Sequence, residues 1–150
     1  MTKRIIQSPA KSGTRTPEEV AEAVKQVAAM RYQPVKISGC DVANNYYREG
    51  KKVWLVTSLI EKSKDLEVFD LPLRCFCIGF EIWSPITTAK VLAEHMKRVQ
   101  ETDMNFPVIM DDEGFIMDGW HRVTKALLEG RATIKAVRFD KTPSCDYVED

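Results

Sequence analysis

Asp118, Gly119, His121 and Arg122 fall within one short run, DGWHR, between an apolar segment and a helical pattern. A helix N-terminus carries unpaired backbone N–H groups and a partial positive charge, which together make an anion site. Gly119 has no Cβ, so a ligand can come close to the backbone there. Arg122 in the first turn can offer a bidentate fork to phosphate oxygens. His121 can donate a hydrogen bond, or titrate near its ordinary pKa of about 6.5. Lys125 lies three residues beyond Arg122, a spacing that lets both face one side of the helix. Asp118 works against an anion and needs another role: a cap, a ligand for a cation that accompanies phosphate, or a base. The residues alone leave a plainer reading open, in which Asp118 caps the helix and pairs with Arg122.

Several elements must hold this run. FPVIM and FIM read as short strands joined by Asp111-Asp112-Glu113-Gly114, a hairpin turn with Gly available for positive φ. Trp120 to Glu129 reads as a helix with Val123, Ala126 and Leu127 facing inward and Gly130 as its stop. ATIKAVRF is a last strand, and KTPSCDYVED an acidic tail. Upstream, Thr16-Pro17-Glu18-Glu19 has the form of a capping box for a helix running to about Met30. Residues 31–50 read as irregular, with Tyr46 and Tyr47 as packing residues. KKVWLVTSLIEKSKDL places Val53, Val56, Thr57 and Ile60 on one helical face, so a helix is expected there. EVFDLPLRCFCIGFEIW reads as one or two strands, with Phe69 and Leu71 alternating with Asp70. Cys75 and Cys77 would then face the same way, either as small buried hydrophobes or as metal ligands with His95 or His121. Ser84-Pro85 opens a further helix with the stripe Ala89, Leu92, Met96 and Val99, and with His95 at its boundary.

Length and composition set the frame. A chain of 150 residues is the size of one domain, and 44% hydrophobic with 29% charged residues is ordinary for a globular protein. Lys plus Arg and Asp plus Glu each number 22, so the net charge is zero. That argues against a protein living mainly on nucleic-acid phosphates. The four cysteines lack zinc-ribbon spacing, and no protein metal site is expected. No signal peptide is visible, and no apolar run approaches the roughly 20 residues that span a bilayer. The expectation is a cytoplasmic protein with reduced thiols and no membrane partner. The order of elements, with no GxGxxG and no Walker A motif, predicts an α+β fold with a small mixed β-sheet flanked by helices.

The segment FPVIMDDEGFIMDGWHRVTKALLEGRATIKAVRF resembles the core of the ParB/sulfiredoxin-like superfamily. Pro107, Val108, Gly114, Ile116, Asp118, Gly119, His121, Arg122, Ala126, Leu127, Gly130 and Ile134 carry the likeness, which covers roughly Leu66 to Phe139. Composition and periodicity give a flexible arm over 1–15, an N-terminal helical extension over 16–65 and an acidic tail over 141–150, and the likeness implies the ParB/sulfiredoxin-like domain over 66–140. It also implies a nucleotide-phosphate site at Gly119, His121 and Arg122. Sulfiredoxins place a cysteine where this chain has Trp120, so sulfinic acid reduction is not expected. ParB partition proteins bind CTP and carry a downstream helix-turn-helix. Only eleven residues follow Phe139, so none is expected here. The free-serine kinases of the superfamily have a form near Asp-Gly-His-His-Arg and an upstream acid as base, for which Glu81 is the candidate.

The functional expectation is a ParB-like nucleotide-binding phosphotransferase or hydrolase, with catalysis itself left open. Asp118, His121 and Glu81 would be catalytic. Gly119, Trp120, Arg122 and Lys125 would hold ATP, ADP or CTP, with Mg2+ accompanying the nucleotide. Trp83 and Trp120 could stack on a base or fill core, and core suits Trp83 better. The alternative is a non-catalytic ParB-like module regulating DNA or a protein partner in a plasmid- or phage-type system. The arm residues Lys3, Arg4, Lys11 and Arg15 favour it. Monomer and homo-oligomer both stay open.

Overall fold

The computed structural model describes residues 15–29, 36–79, 82–83, 86 and 88–150. The chain divides into two compact units, 1–35 and 36–150. Residues 1–14 of the expected arm, and the end of the first helix at Met30, lie outside the described residues.

In the first unit, α1 spans Pro17–Ala29. Its capping box forms as the sequence predicts. Glu19 Oε2 accepts from the Thr16 N–H at 2.8 Å, and Thr16 Oγ1 accepts from the Glu19 N–H at 3.2 Å.

The second unit is α+β. Its central sheet has four strands in the order β3 (Phe69–Pro72), β6 (Thr133–Arg138), β4 (Val108–Met110), β5 (Ile116–Asp118). β3 is antiparallel to β6, β6 parallel to β4, and β4 antiparallel to β5, so the sheet is mixed. Both faces are covered, because alternate residues enter two separate cores. Val108, Met110, Ile116, Ile134 and Ala136 pack with Val123 and Ala126 of α4 (Trp120–Leu128). Ile109, Met117 and Val137 pack on the other face with Trp54 and Leu59. Those two belong to β2 (Lys52–Leu55) and α2 (Val56–Ser63). α3 (Ala89–Glu101) lies beside α4. Thr88 caps α3, its Oγ1 accepting from the Val91 N–H at 3.2 Å.

A second, three-stranded sheet departs from the sequence reading. The segment expected as one helix from Lys51 splits into β2 and then α2. β2 pairs with β1 (Tyr46–Glu49), inside the stretch expected to be irregular. The cause is the turn at Gly50, whose φ of +58° lets the chain double back. Val53 and Trp54 are both buried and point to opposite faces, so strand pairing satisfies their backbone while both faces of β2 are covered there. The expected tail also folds in. β7 (Tyr147–Val148) pairs with β2, and Pro143 O accepts from Trp54 Nε1 at 2.8 Å.

Three packing expectations are corrected. Cys75 and Cys77 are exposed rather than buried, because β3 ends at Pro72 and a 3-10 turn over Leu73–Cys75 replaces the strand. Of the α3 stripe only Val99 is buried, while Leu92 and Met96 are exposed. Leu127, in the last turn of α4, is exposed as well.

Candidate functional site

The seam between β5 and α4 is built by Gly119. It is the N-cap of α4 with φ +119°, and no side chain caps that helix. A Cβ at Gly119 would lie 2.9 Å from Val108 Cγ1 and 3.2 Å from Val108 Cα. Glycine is therefore required twice, by the backbone conformation and by the close approach of β4. The space a Cβ would take is filled by Val108, so the glycine serves strand–helix packing there.

The next three residues diverge, as each helical step turns by about 100°. Trp120 packs against the first core, its ring 6.1 Å from that of Phe76. His121 turns toward α3, where its Nε2 lies 3.1 Å from His95 Nδ1. Arg122 folds back so that its Nη2 donates to Asp118 Oδ2 at 2.5 Å. That ion pair is largely buried, with side-chain exposures of 15% for Arg122 and 21% for Asp118. Arg122 Nε is buried with no hydrogen-bond partner among the described residues.

Trp83 lies against both imidazoles, its ring 4.3 Å from His95 and 4.8 Å from His121. Burial pushes the His121 pKa down to about 4, helped by the neighbouring His95 and Arg98 and opposed by Asp118. His95 is lowered too, by burial and then Arg98, against the pull of Glu94. At neutral pH the pair is therefore uncharged, and one ring donates the shared proton to the other. Among the described residues His95 Nε2 and His121 Nδ1 have no hydrogen-bond partner.

These groups line a cleft of about 340 Å³, within the usual range for small-molecule sites. Asp118, Gly119, Trp120 and His121 form one wall; Trp83, His95 and Arg98 also line it, as do Tyr46, Tyr47 and Arg48 of β1. Arg98 Nε donates to Gly39 O at 3.2 Å, and Arg48 pairs with Glu149 at 2.9 Å.

The structure thus gathers four of the expected residues, Asp118, Gly119, Trp120 and His121. It sends two elsewhere. Lys125 Nζ donates to Gln100 O at 2.9 Å and Thr102 O at 3.0 Å, tying α4 to the C-terminal end of α3. Arg122 lies with Asp118 on the wall of a different cavity. Glu81 lies outside the described residues. The sequence reading missed Arg98 and Arg48, and took His95 for a surface or boundary residue beside the apolar stripe and Trp83 for core. The available signal was that His95 and Arg98 are one helical turn apart. Their meeting with His121 needs α3 beside α4, which no local pattern encodes. Among the described residues no three His, Cys, Asp or Glu side chains converge as a metal site. No helix of the described residues is long and apolar enough to cross a membrane.

Comparison with known proteins found no matching family model, no matching curated protein and no matching solved structure.

Proposed function

We propose that this chain is a ParB-like protein that binds a nucleotide through its phosphates, at the N-terminal turn of α4. The observation that carries the reading is the uncapped start of α4 lining a cleft with Arg98 and two neutral imidazoles. Backbone N–H groups at a helix start, a guanidinium and imidazole donors form a phosphate-binding set. Tyr46, Tyr47 and Trp83 add flat apolar surface for a base. The described residues do not form a cage for Mg2+, so any such ion would travel with the nucleotide's own phosphates.

Phosphotransfer or hydrolysis is the catalytic form of the reading. The neutral His95–His121 pair is then the base, accepting a proton at one of the two ring nitrogens left over. Asp118 is unsuited to that role while Arg122 holds it. The same ion pair favours a second reading, a non-catalytic module that senses nucleotide and acts on DNA or a protein partner.

The test is a thermal-shift series with ATP, ADP and CTP, each with magnesium. A saturable rise with at least one is expected, and no rise with any at millimolar concentration contradicts the proposal. Release of inorganic phosphate then separates the catalytic form from the module. A gel shift that weakens steeply with salt would favour the DNA-binding module.

A further inference from the structure

His95 Nδ1 and His121 Nε2 lie 3.1 Å apart. The two ring planes differ by only 22°, and the ring centroids are 5.4 Å apart. That separation exceeds the nitrogen–nitrogen distance by about one ring radius at each end, so the centroids and the nitrogens fall near one line. The nitrogens therefore point at each other, as in an N–H···N hydrogen bond, and not at a common third point as two ligands of one metal ion would.

Two neutral imidazoles carry two N–H protons between them. One lies in the shared bond. The outer nitrogens, His95 Nε2 and His121 Nδ1, are left with one proton and one lone pair. With the shared proton on His95 Nδ1, His121 Nδ1 holds the outer proton and His95 Nε2 the lone pair. With it on His121 Nε2, both reverse. The two rings thus hold the same tautomer and change it together. Both residues line the cleft, and neither outer nitrogen has a hydrogen-bond partner among the described residues. Trp83 lies over both rings, at 4.3 Å and 4.8 Å between centroids, and keeps water from that side of the shared bond.

We infer that His95 and His121 form a two-ring proton relay for the nucleotide in the cleft, taking a proton at one outer nitrogen and releasing one at the other. This rests on the catalytic form of the proposed reading. The attacking water or hydroxyl gives its proton to the outer lone pair of one ring as its oxygen bonds to phosphorus. The shared proton crosses to the second ring. The outer N–H of that ring gives its proton to the oxygen whose bond to phosphorus breaks, or to water. The pair ends neutral and in the opposite tautomer, and exchange with water at the outer nitrogens resets it. A single imidazole acting alone would be left as a cation among half-buried groups, which is costly; the relay leaves none.

Nitrogen NMR of the free chain with isotope-labelled histidines, at neutral pH, reads the tautomers without any nucleotide. Both rings should report the same tautomer, or the same average of the two. One ring as Nδ1–H and the other as Nε2–H overturns the shared bond. Phosphate release is then followed with the nucleotide that gives the largest thermal shift. In mixtures of light and heavy water its rate should fall along a curve, because two or more protons move together. A straight line, or no isotope effect, overturns the relay. His95→Gln and His121→Gln, checked by melting to be folded, should each lower kcat about a hundredfold or more and change KM by less than about tenfold. An unchanged kcat in either variant overturns the relay. A saturable thermal shift without phosphate release from the unmodified chain overturns the relay and leaves nucleotide binding standing. No thermal shift with any nucleotide overturns both.

Discussion

Asp118 and Arg122 lie 2.5 Å apart with most of both side chains out of water, so neither can be removed without stranding the other. Breaking such a pair from one side costs about 3–5 kcal/mol when it is fully buried. Asp118→Ala should therefore lower unfolding free energy by about 2–4 kcal/mol in urea titration, given the partial exposure, and Asp118→Asn by less, because an acceptor remains. Gly119→Ala meets Val108 and a φ of +119°, and should cost about 2–4 kcal/mol in the same assay. His121 links stability to pH. Its folded pKa of about 4 lies below the unfolded value of about 6.5, so between them the unfolded chain binds more protons. Its contribution is complete above about pH 6.5 and is lost as pH falls toward 4. His121→Asn should show a smaller loss between pH 7 and pH 4.5 than the unmodified chain. An equal loss would contradict burial of a neutral imidazole. At this scale the sequence made Gly119 and the start of α4 legible, because glycine and the strand–helix switch are local signals. It could not show which way each first-turn side chain points, since that depends on which neighbours the helix finds.

At the scale of elements, α2 shows how distant residues complete a local motif. Leu55 stands at its N-cap and has no side-chain oxygen to give. Asp146, far along the chain, supplies the cap: its Oδ2 accepts from the Leu55 N–H and its Oδ1 from Ser58 Oγ, each at 2.8 Å. Asp146→Ala should cost about 1–2 kcal/mol, the usual loss of a cap, read as a fall in the denaturation midpoint. A midpoint within error of the unmodified chain would mean that the C-terminal segment does not stabilise α2. The hairpin β4–β5, helix α4 and strand β6 were legible because turn residues and apolar periods mark them. β2 was hidden because Val53, Val56 and Ile60 also fit a helical face, and strand pairing with β1 and β7 decided the matter. Cys75 and Cys77 were misplaced for a related reason. Their spacing fits a strand, but β6 offers β3 partners only as far as Pro72.

For the whole molecule, two half-cores on one mixed sheet explain why β4 reads as a continuous apolar run, all three of its residues being buried. They also explain where the surface is hollowed. α3 and α4 bound a polar, aromatic cleft, while the second core opens into an apolar cavity, and Asp118 lines both. The zero net charge was legible and fits a protein that meets phosphate at one prepared point rather than along a basic face. The cleft itself was half legible. Asp118, Gly119, Trp120 and His121 came from one motif, and His95, Arg98 and Arg48 came from elements that only the fold brings to it. The central claim is that phosphate sits on the first turn of α4. Amide chemical shifts in an NMR titration with the nucleotide that gives the largest thermal shift test it most directly. The account predicts saturable movement of the Gly119, Trp120 and His121 amides. Saturable changes confined to other parts of the chain, or none at all, would contradict it.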